Sequence, residues 1–406
     1  MDASASGIDR RLLIAVMQII MVTNNALEDK MGGHERYVRE LSSTLARRGH
    51  AVTIIAKRRL PGAPAHELRP DGVVIERHPV PSKRNPLYAA LYPAYVLRGV
   101  ASRTRRRKGG TVIHAHMSVP ALPLALRGQR YLLTFHAPVW RELLSERQGT
   151  YVLPSFIQSP AVAGVRQLER LVAHRAARTV VLSEFMRSEL ALLDAGAGAG
   201  ATVIPGGIDG RRFSVDRVRQ PPDDALAPVL FTARRLTPRT GVDELIRAMP
   251  VIAERLPGAQ LKIAGTGPQE VELRELATST GLDGAIEFLG RISDEALVDW
   301  YRRASLVVLP TRELEGFGLT TAEALACGAA VIGTPAGATP ELLAPLDPSL
   351  LAEDVSAAAI AEAVVAVLGK PDRLERIRAA AAARIMPAMG WDAVADRYLE
   401  IYESFN

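Results

Sequence analysis

The pattern that most limits what this 406-residue chain can fold into is a repeated alternation of short apolar runs with helical periods. The runs are Leu12–Met21, Val52–Ala56, Thr111–Ala115, Tyr131–Phe135, Thr179–Leu182 and Thr202–Ile204, then Pro228–Ala233, Gln260–Ala264, Ala285–Leu289, Ser305–Leu309 and Ala330–Gly333. They are rich in Val, Ile and Leu and do not alternate with polar residues, as expected of parallel strands covered on both faces. Between them lie helical repeats. Tyr37, Leu41 and Leu45 recur every four residues before Gly49, a glycine suited to a helix C-terminus. Val242, Leu245, Ile246 and Met249 do the same before Pro250. This rhythm predicts an α/β fold of two Rossmann-like, doubly wound domains.

The boundary is expected between Ala195 and Gly207. Ala195-Gly-Ala-Gly-Ala-Gly-Ala reads as a flexible tip, with Pro205-Gly206-Gly207 just beyond. It resembles a dinucleotide-binding glycine fingerprint only superficially, because no strand precedes it at the right distance and no helix follows. The domains are therefore 1–200 and 201–386. The segment Trp391–Phe405 places Val394, Tyr398 and Ile401 on one face. After a break at Met386-Pro387, this C-terminal helix (391–406) is expected to return to the first domain.

Composition removes several classes. A single cysteine, Cys327, excludes an internal disulfide and any multi-cysteine metal site, and its apolar setting predicts a buried thiol. No run reaches the roughly 18 uninterrupted apolar residues of a membrane span. Leu12–Val22 follows Arg10-Arg11 and imitates a signal peptide, but it lacks a small-residue cleavage site and reads as a buried first strand. A cytoplasmic protein is the expectation. Charge is uneven: residues 1–200 hold 29 Lys/Arg against 15 Asp/Glu, and residues 201–406 hold 21 against 29. The halves are therefore expected to meet different partners. Nucleic acid is not among them, since no nucleic-acid module is recognisable and the acidic second half would repel phosphates.

The chemistry concentrates in Glu315-Gly316-Phe317-Gly318-Leu319-Thr320-Thr321-Ala322-Glu323, followed by Ala-Leu-Ala-Cys-Gly. Two carboxylates stand eight positions apart around a glycine turn, between an apolar strand and an apolar helix. The first-turn N–H groups of such a helix have no intrahelical partners and form an anion site. Carboxylates beside it are suited to accept hydrogen bonds from neutral sugar hydroxyls. Anion site and hydroxyl acceptors together suggest a sugar nucleotide. Gly32-Gly33-His34-Glu35-Arg36-Tyr37 opens a helix after the first strand, where glycines permit close approach of a phosphate. His114-Ala-His116 and His136 stand at strand ends, the side that faces the ligand crevice in open α/β sheets. No third ligand lies at a spacing that would make the histidines a zinc site.

In this order the motifs resemble those of retaining glycosyltransferases of family 4 (glycosyl transferases group 1), over roughly residues 11–405. The resemblance implies a GT-B fold, with two domains facing across a cleft that closes on substrate. It implies that the first domain binds the acceptor and the second a nucleotide sugar, with no metal and no other cofactor. Consistent with this, no Asp-x-Asp pair occurs. It implies that Gly32 and Gly33 touch the donor diphosphate, and that His136 lies beside the outer hydroxyls of the donor sugar. His114 and His116 read as structural. Glu315 is implied to hold the transferred sugar and Glu323 the ribose, with Gly316, Phe317, Gly318, Leu319 and Thr320 presenting N–H groups. Gly265, in Gly265-Thr-Gly267-Pro268, matches the family's glycine turn, and Ile292 the segment beside the nucleobase.

In Ala233-Arg234-Arg235-Leu236-Thr237-Pro238-Arg239-Thr240-Gly241 the family carries an arginine and, five residues on, a lysine, both neutralising the diphosphate. Arg235 matches the arginine, whereas Thr240 stands where the lysine belongs. Either Arg234 or Arg239 compensates, or donor binding is weaker. Gly206 replaces the family's usual asparagine. The catalytic set is thus His136, Arg235 and Glu315. UDP sugars are the first donor expected and GDP-mannose the second, with a small-molecule, glycan or lipid acceptor. A sugar-nucleotide epimerase, a phosphorylase, or a non-catalytic nucleotide-sugar module are the alternatives on the same plan. The phosphorylase is disfavoured, because the second domain has only Lys262 and Lys370 to carry a pyridoxal cofactor. The basic run Arg103, Arg105, Arg106, Arg107, Lys108 follows Tyr88, Leu91, Tyr92, Tyr95, Val96 and Leu97 and reads either as a solvated helix end with a basic loop or as a basic amphipathic helix in peripheral membrane contact.

Overall fold

The structure, a computed structural model, describes residues 16–26, 33–58, 60, 62–81, 88–104, 110–141, 155–215, 227–282 and 284–405. The chain divides into two compact units: Met1–His116 with Pro120–Leu132 and Tyr398–Asn406, and Met117–Val119 with Leu133–Arg397.

In the first unit, strands β1 (Gln18–Val22), β2 (Ala51–Arg58), β3 (His66–Leu68), β4 (Val74–Pro79) and β5 (Thr111–His116) lie in the order β3-β4-β2-β1-β5. All the pairings are parallel except β3 with β4. Ile19, Ile20, Met21 and Val22 are buried together, as a strand covered on both faces requires. Helix α1 (Gly33–Arg47) buries Tyr37, Val38, Leu41 and Leu45, and Gly49 follows with φ +89°. That glycine closes the helix in the left-handed conformation, as the spacing predicts. Strands β3 and β4 have no counterpart among the apolar runs. Their buried residues include Glu76 and Arg77, tied to Arg103 and Glu67, and those charges mask the strand in the sequence.

In the second unit, β6 (Leu132–Phe135, its first residue contributed by the first unit), β7 (Arg178–Val181) and β8 (Thr202–Val203) are successive neighbours. A separate sheet of β9 (Val229–Ala233), β10 (Gln260–Ala264), β11 (Ile286–Gly290), β12 (Leu306–Leu309) and β13 (Val331–Gly333) runs in the order β11-β10-β9-β12-β13, all parallel. The chain winds outward from β9 through β10 to β11, then returns to place β12 on the other side of β9. The reversal makes a topological switch between β9 and β12, and ligands of open α/β sheets bind beyond the strand ends at such a point.

Three local expectations fail. Ala195–Ala199 is not a loose tip but a helical turn, with the Asp194 carboxylate accepting the Ala197 N–H at 2.8 Å. A side chain on Gly198 would fall 2.6 Å from the Ala191 Cα, so this glycine serves packing. Pro250 does not stop its helix, which runs Val242–Arg255, and Pro387 lies inside another, Pro371–Met389. A proline removes one N–H bond and crowds the preceding turn. Here five buried apolar residues of the first helix before and after Pro250 (Leu245, Ile246, Ala248, Met249, Ile252) outweigh that. Cys327 is buried as expected, and burial pushes its thiol up to about 12, which leaves it inert.

Candidate functional site

The two loops at the switch point carry the charged residues. After β9 the chain enters Arg234–Leu236 and a single 3-10 turn, Pro238–Thr240. After β12 it enters Thr311–Gly318, which leads into helix α2 (Leu319–Ala326). Gly241 lets these two loops meet, and Gly265, directly after β10, lets the β10 loop approach the β9 loop. A Cβ on Gly241, at φ +67°, would stand 1.8 Å from the Pro310 carbonyl oxygen, and one on Gly265 would stand 1.8 Å from that of Arg234. Neither position admits any other residue without moving backbone.

Glu315 is fixed at both oxygens. Arg234 donates to Oε2 at 2.8 Å, and the Gly318 N–H donates to Oε1 at 3.1 Å. The same Arg234 terminal nitrogen is 2.8 Å from Thr311 Oγ1. The ion pair is mostly shielded, with the Arg234 and Glu315 side chains 10% and 18% exposed. Leu314, just before Glu315, has φ +57°, a conformation that a non-glycine residue adopts rarely. The Glu315 carbonyl accepts the Ala338 N–H at 2.8 Å, and Gly337 is required there, since its Cβ would fall 2.3 Å from that carbonyl oxygen. Strained backbone held by its surroundings is a common mark of a binding loop.

Gly318, at φ +83°, caps α2 without a side-chain hydrogen bond to the helix. The first-turn N–H groups of α2 therefore have no capping side chain and present the positive end of the helix dipole. Leu319 and Thr320 are half-buried at this end, whereas Thr321 through Ala326 are buried. Glu323 is buried at 5% exposure one turn further in. Phe317 is buried against Gly206, where a Cβ would meet its ring at 2.7 Å. That contact accounts for glycine at the position where an asparagine was expected. Gly207 is likewise covered by the Trp391 ring, 2.2 Å from the Cβ it lacks.

His136 follows β6 and comes up to this loop: its carbonyl oxygen is 3.1 Å from where a Gly316 Cβ would be. Its turn is shaped by Glu169, fully buried, whose carboxylate accepts from Val139 N, Trp140 N and Ser118 Oγ at 3.1, 3.2 and 3.3 Å. Ser183, the N-cap of the helix Glu184–Leu193, donates its hydroxyl to the Gly316 carbonyl at 2.7 Å. The first amides of that helix, Glu184 N and Phe185 N, donate to the Glu341 carboxylate at 2.9 and 2.7 Å. A carboxylate at a helix N-terminus is favourably placed against the dipole.

The predicted site residues thus separate. His136, Gly316 and Phe317 join Glu315, and Gly265 abuts the Arg234 backbone. Arg235 is exposed and makes no ion pair among the described residues; Arg234 is the arginine that meets Glu315. Thr240 is buried, with its hydroxyl 2.8 Å from the Arg235 carbonyl and 2.7 Å from that of Thr237, so it clasps its own turn. Ile292 is half-buried just beyond β11. Gly33 opens α1 in the first unit, with open space where a Cβ would be; Gly32 lies outside the described residues. Of the basic run, Arg103 is spent on Glu76, and Arg105 to Lys108 lie outside the described residues. Sequence reading passed over Thr311, Ser183, Glu169 and Glu341. Only Ser183, a capping residue directly before an apolar helix, carried a sequence signal.

A family model for "Glycosyltransferase Family 4" matches residues 31–212, and one for "Glycosyl transferases group 1" matches residues 218–384. The chain is a family 4 glycosyltransferase. It is 28% identical over 392 residues to a GDP-mannose-dependent alpha-(1-6)-phosphatidylinositol monomannoside mannosyltransferase of Mycobacterium tuberculosis, covering 93% of this chain and 96% of that one. It is 31% identical over 218 residues to a GDP-mannose-dependent monoacylated alpha-(1-6)-phosphatidylinositol monomannoside mannosyltransferase of Corynebacterium glutamicum. That match takes in half of this chain and only 55% of the relative. The glycosyltransferase also resembles sucrose-phosphate synthase of Thermosynechococcus elongatus, with a TM-score of 0.76 at 24% identity, over 96% of this chain and 98% of that one. The shared architecture is the two-domain, Rossmann-like GT-B fold.

Proposed function

We propose that this glycosyltransferase moves a hexosyl group from a nucleoside-diphosphate sugar, GDP-mannose first and a UDP sugar second, to a hydroxyl acceptor on a lipid headgroup or glycan. The order reverses the preference drawn from the sequence, because the Mycobacterium tuberculosis relative matched over 93% of this chain is named as GDP-mannose-dependent. The domain spanning 201–386 holds the donor and the domain spanning 1–200 the acceptor. The observation that carries the reading is Glu315, pinned between Arg234 and the Gly318 N–H beside the uncapped start of α2. A carboxylate so fixed keeps its free lone pairs for sugar hydroxyls, and the helix start takes the phosphates.

Transfer proceeds with retention and without a metal ion. The bond from the anomeric carbon to the phosphate oxygen breaks, the acceptor oxygen attacks the same face, and its proton passes to the departing phosphate oxygen. The protein positions the reactants and stabilises the diphosphate charge. Location at the cytoplasmic face of a membrane belongs to the same reading; among the described residues, no helix is long and apolar enough to cross a membrane.

The test is a thermal-shift series with GDP, UDP, GDP-mannose and UDP-glucose, followed by mass spectrometry of products with and without acceptor, in the presence and absence of EDTA. GDP-mannose should stabilise most, and mannosylated product should form in EDTA. Glu315→Gln should lower the transfer rate about 10²–10³-fold, with GDP affinity nearly kept. Free epimerised nucleotide sugar without acceptor, or an unchanged Glu315→Gln enzyme, would overturn the proposal.

A further inference from the structure

A diphosphate clamp that has lost its lysine must find a second cation or bind weakly. The loop after β9 offers three arginines, and the structure separates them by what each already holds. Arg234 is neutralised: its guanidinium is 2.8 Å from the Glu315 carboxylate, 10% exposed, and tied to Thr311. Arg312, across from the turn, is shared between Asp243 and Glu244 at 2.6 and 2.7 Å. Arg235 and Arg239 have no carboxylate partner among the described residues. Among the described residues the Arg239 side chain makes one hydrogen bond, a long one of 3.4 Å to the Leu314 carbonyl. That contact sets its guanidinium against the residue preceding Glu315, on the wall of the site, and it is easily given up.

From this charge accounting we infer that Arg239 replaces the missing lysine as the second cation for the donor diphosphate, beside Arg235. The inference rests on the donor reading given above. Its local geometry is coherent. Thr240 turns its short hydroxyl side chain inward onto the carbonyls of Arg235 and Thr237 and is buried, so the threonine itself is spent on its own turn and supplies nothing to a ligand. Arg239, one residue earlier in the same 3-10 turn, is half-buried and has a longer side chain. Its backbone is held independently, because the Arg239 carbonyl accepts the Arg312 N–H at 2.8 Å. A guanidinium also offers a planar fork that bonds two phosphate oxygens at once, which an ammonium cannot.

Calorimetric titration of the full-length protein with GDP and with GMP tests this. Arg239→Gln should weaken GDP binding by roughly 10-fold or more, the worth of one charge-assisted hydrogen bond. GMP binding should change less than about 3-fold, because the clamp acts on the second phosphate. Adding Thr240→Lys to Arg239→Gln should return most of the GDP affinity. A merely structural arginine would lower both affinities together and would not be rescued by the lysine. Wild-type-like GDP binding by Arg239→Gln, or equal losses for GDP and GMP, would overturn the inference while leaving the donor reading standing. A wild-type protein that binds neither GDP nor UDP would overturn that reading as well.

Discussion

Two polar clusters stand at strand ends in this molecule, one in each unit, and they are built on opposite principles. In the first unit, His114 on β5 is fully buried and its Nδ1 lies 2.7 Å from the Tyr402 hydroxyl. Tyr37 on α1 shares a 2.8 Å bond with Tyr398, and the rings of His114 and His116 are 4.0 Å apart. Burial raises the hydroxyl pKa of Tyr37 and Tyr402 well above the ordinary tyrosine value, so they stay neutral. The partners Tyr398 and Tyr402 come from the C-terminal segment of the same unit. In the second unit the strand ends after β9 and β12 carry guanidinium and carboxylate groups, and among the described residues two of the three arginines in the first loop have no carboxylate partner. Buried groups that bond to one another support the fold; charge left beside an uncapped helix marks a candidate ligand site.

The sharpest way to break the comparison is at the glycines. Gly265→Ala, at φ +127° and with its Cβ 1.8 Å from a carbonyl oxygen, should cost about 3 kcal/mol or more in a denaturant titration. It should also displace Arg234. A tolerated alanine would show that the two loops are not locked together.

A smaller effect is expected from Arg234→Gln, which leaves Glu315 as a shielded, unpartnered carboxylate. Removing one member of a fully buried pair costs about 3–5 kcal/mol, and partial exposure here reduces that to roughly 2 kcal/mol. The melting temperature should fall accordingly. A variant as stable as the parent would mean that the pair contributes nothing.

The first unit responds to pH through His114. Burial pushes its imidazole down to about 3 from 6.5. Below about pH 6.5 the unfolded chain gains a proton that the folded chain refuses until about pH 3. Its contribution to stability is therefore intact above 6.5 and declines steadily from 6.5 toward 3. His114→Phe loses the bond to Tyr402, about 1 kcal/mol at neutral pH. It also removes this slope, so the gap between parent and variant should close or reverse on acidification. Parallel stability curves between pH 7 and 4 would place His114 outside the pH response.

The amount legible in advance follows the same division. The runs at β9, β10, β11, β12 and β13 were readable because parallel strands are apolar on both faces, a property each segment carries by itself. The motif from Glu315 to Gly318 was readable because a left-handed turn at a helix start favours glycine. What the sequence hid were features created by distant partners. β4 is a strand whose buried Glu76 and Arg77 depend on Arg103 and Glu67. Gly206 and Gly207 look like linker but exist to admit the rings of Phe317 and Trp391. Pro250 and Pro387 look like helix ends, yet the packing around them carries each helix through.

By itself the sequence determined the fold class, the strands of the second sheet and the loop on which Glu315 stands, since these follow from periodicity and from the backbone demands of single residues. The tertiary structure alone decided that Arg234 rather than Arg235 meets Glu315, across 81 residues of chain. It likewise decided which histidine is buried against tyrosine and which arginines keep their charge. Neighbouring arginines are alike in sequence. They become different only when folding places a carboxylate within reach of one and, among the described residues, gives the others none.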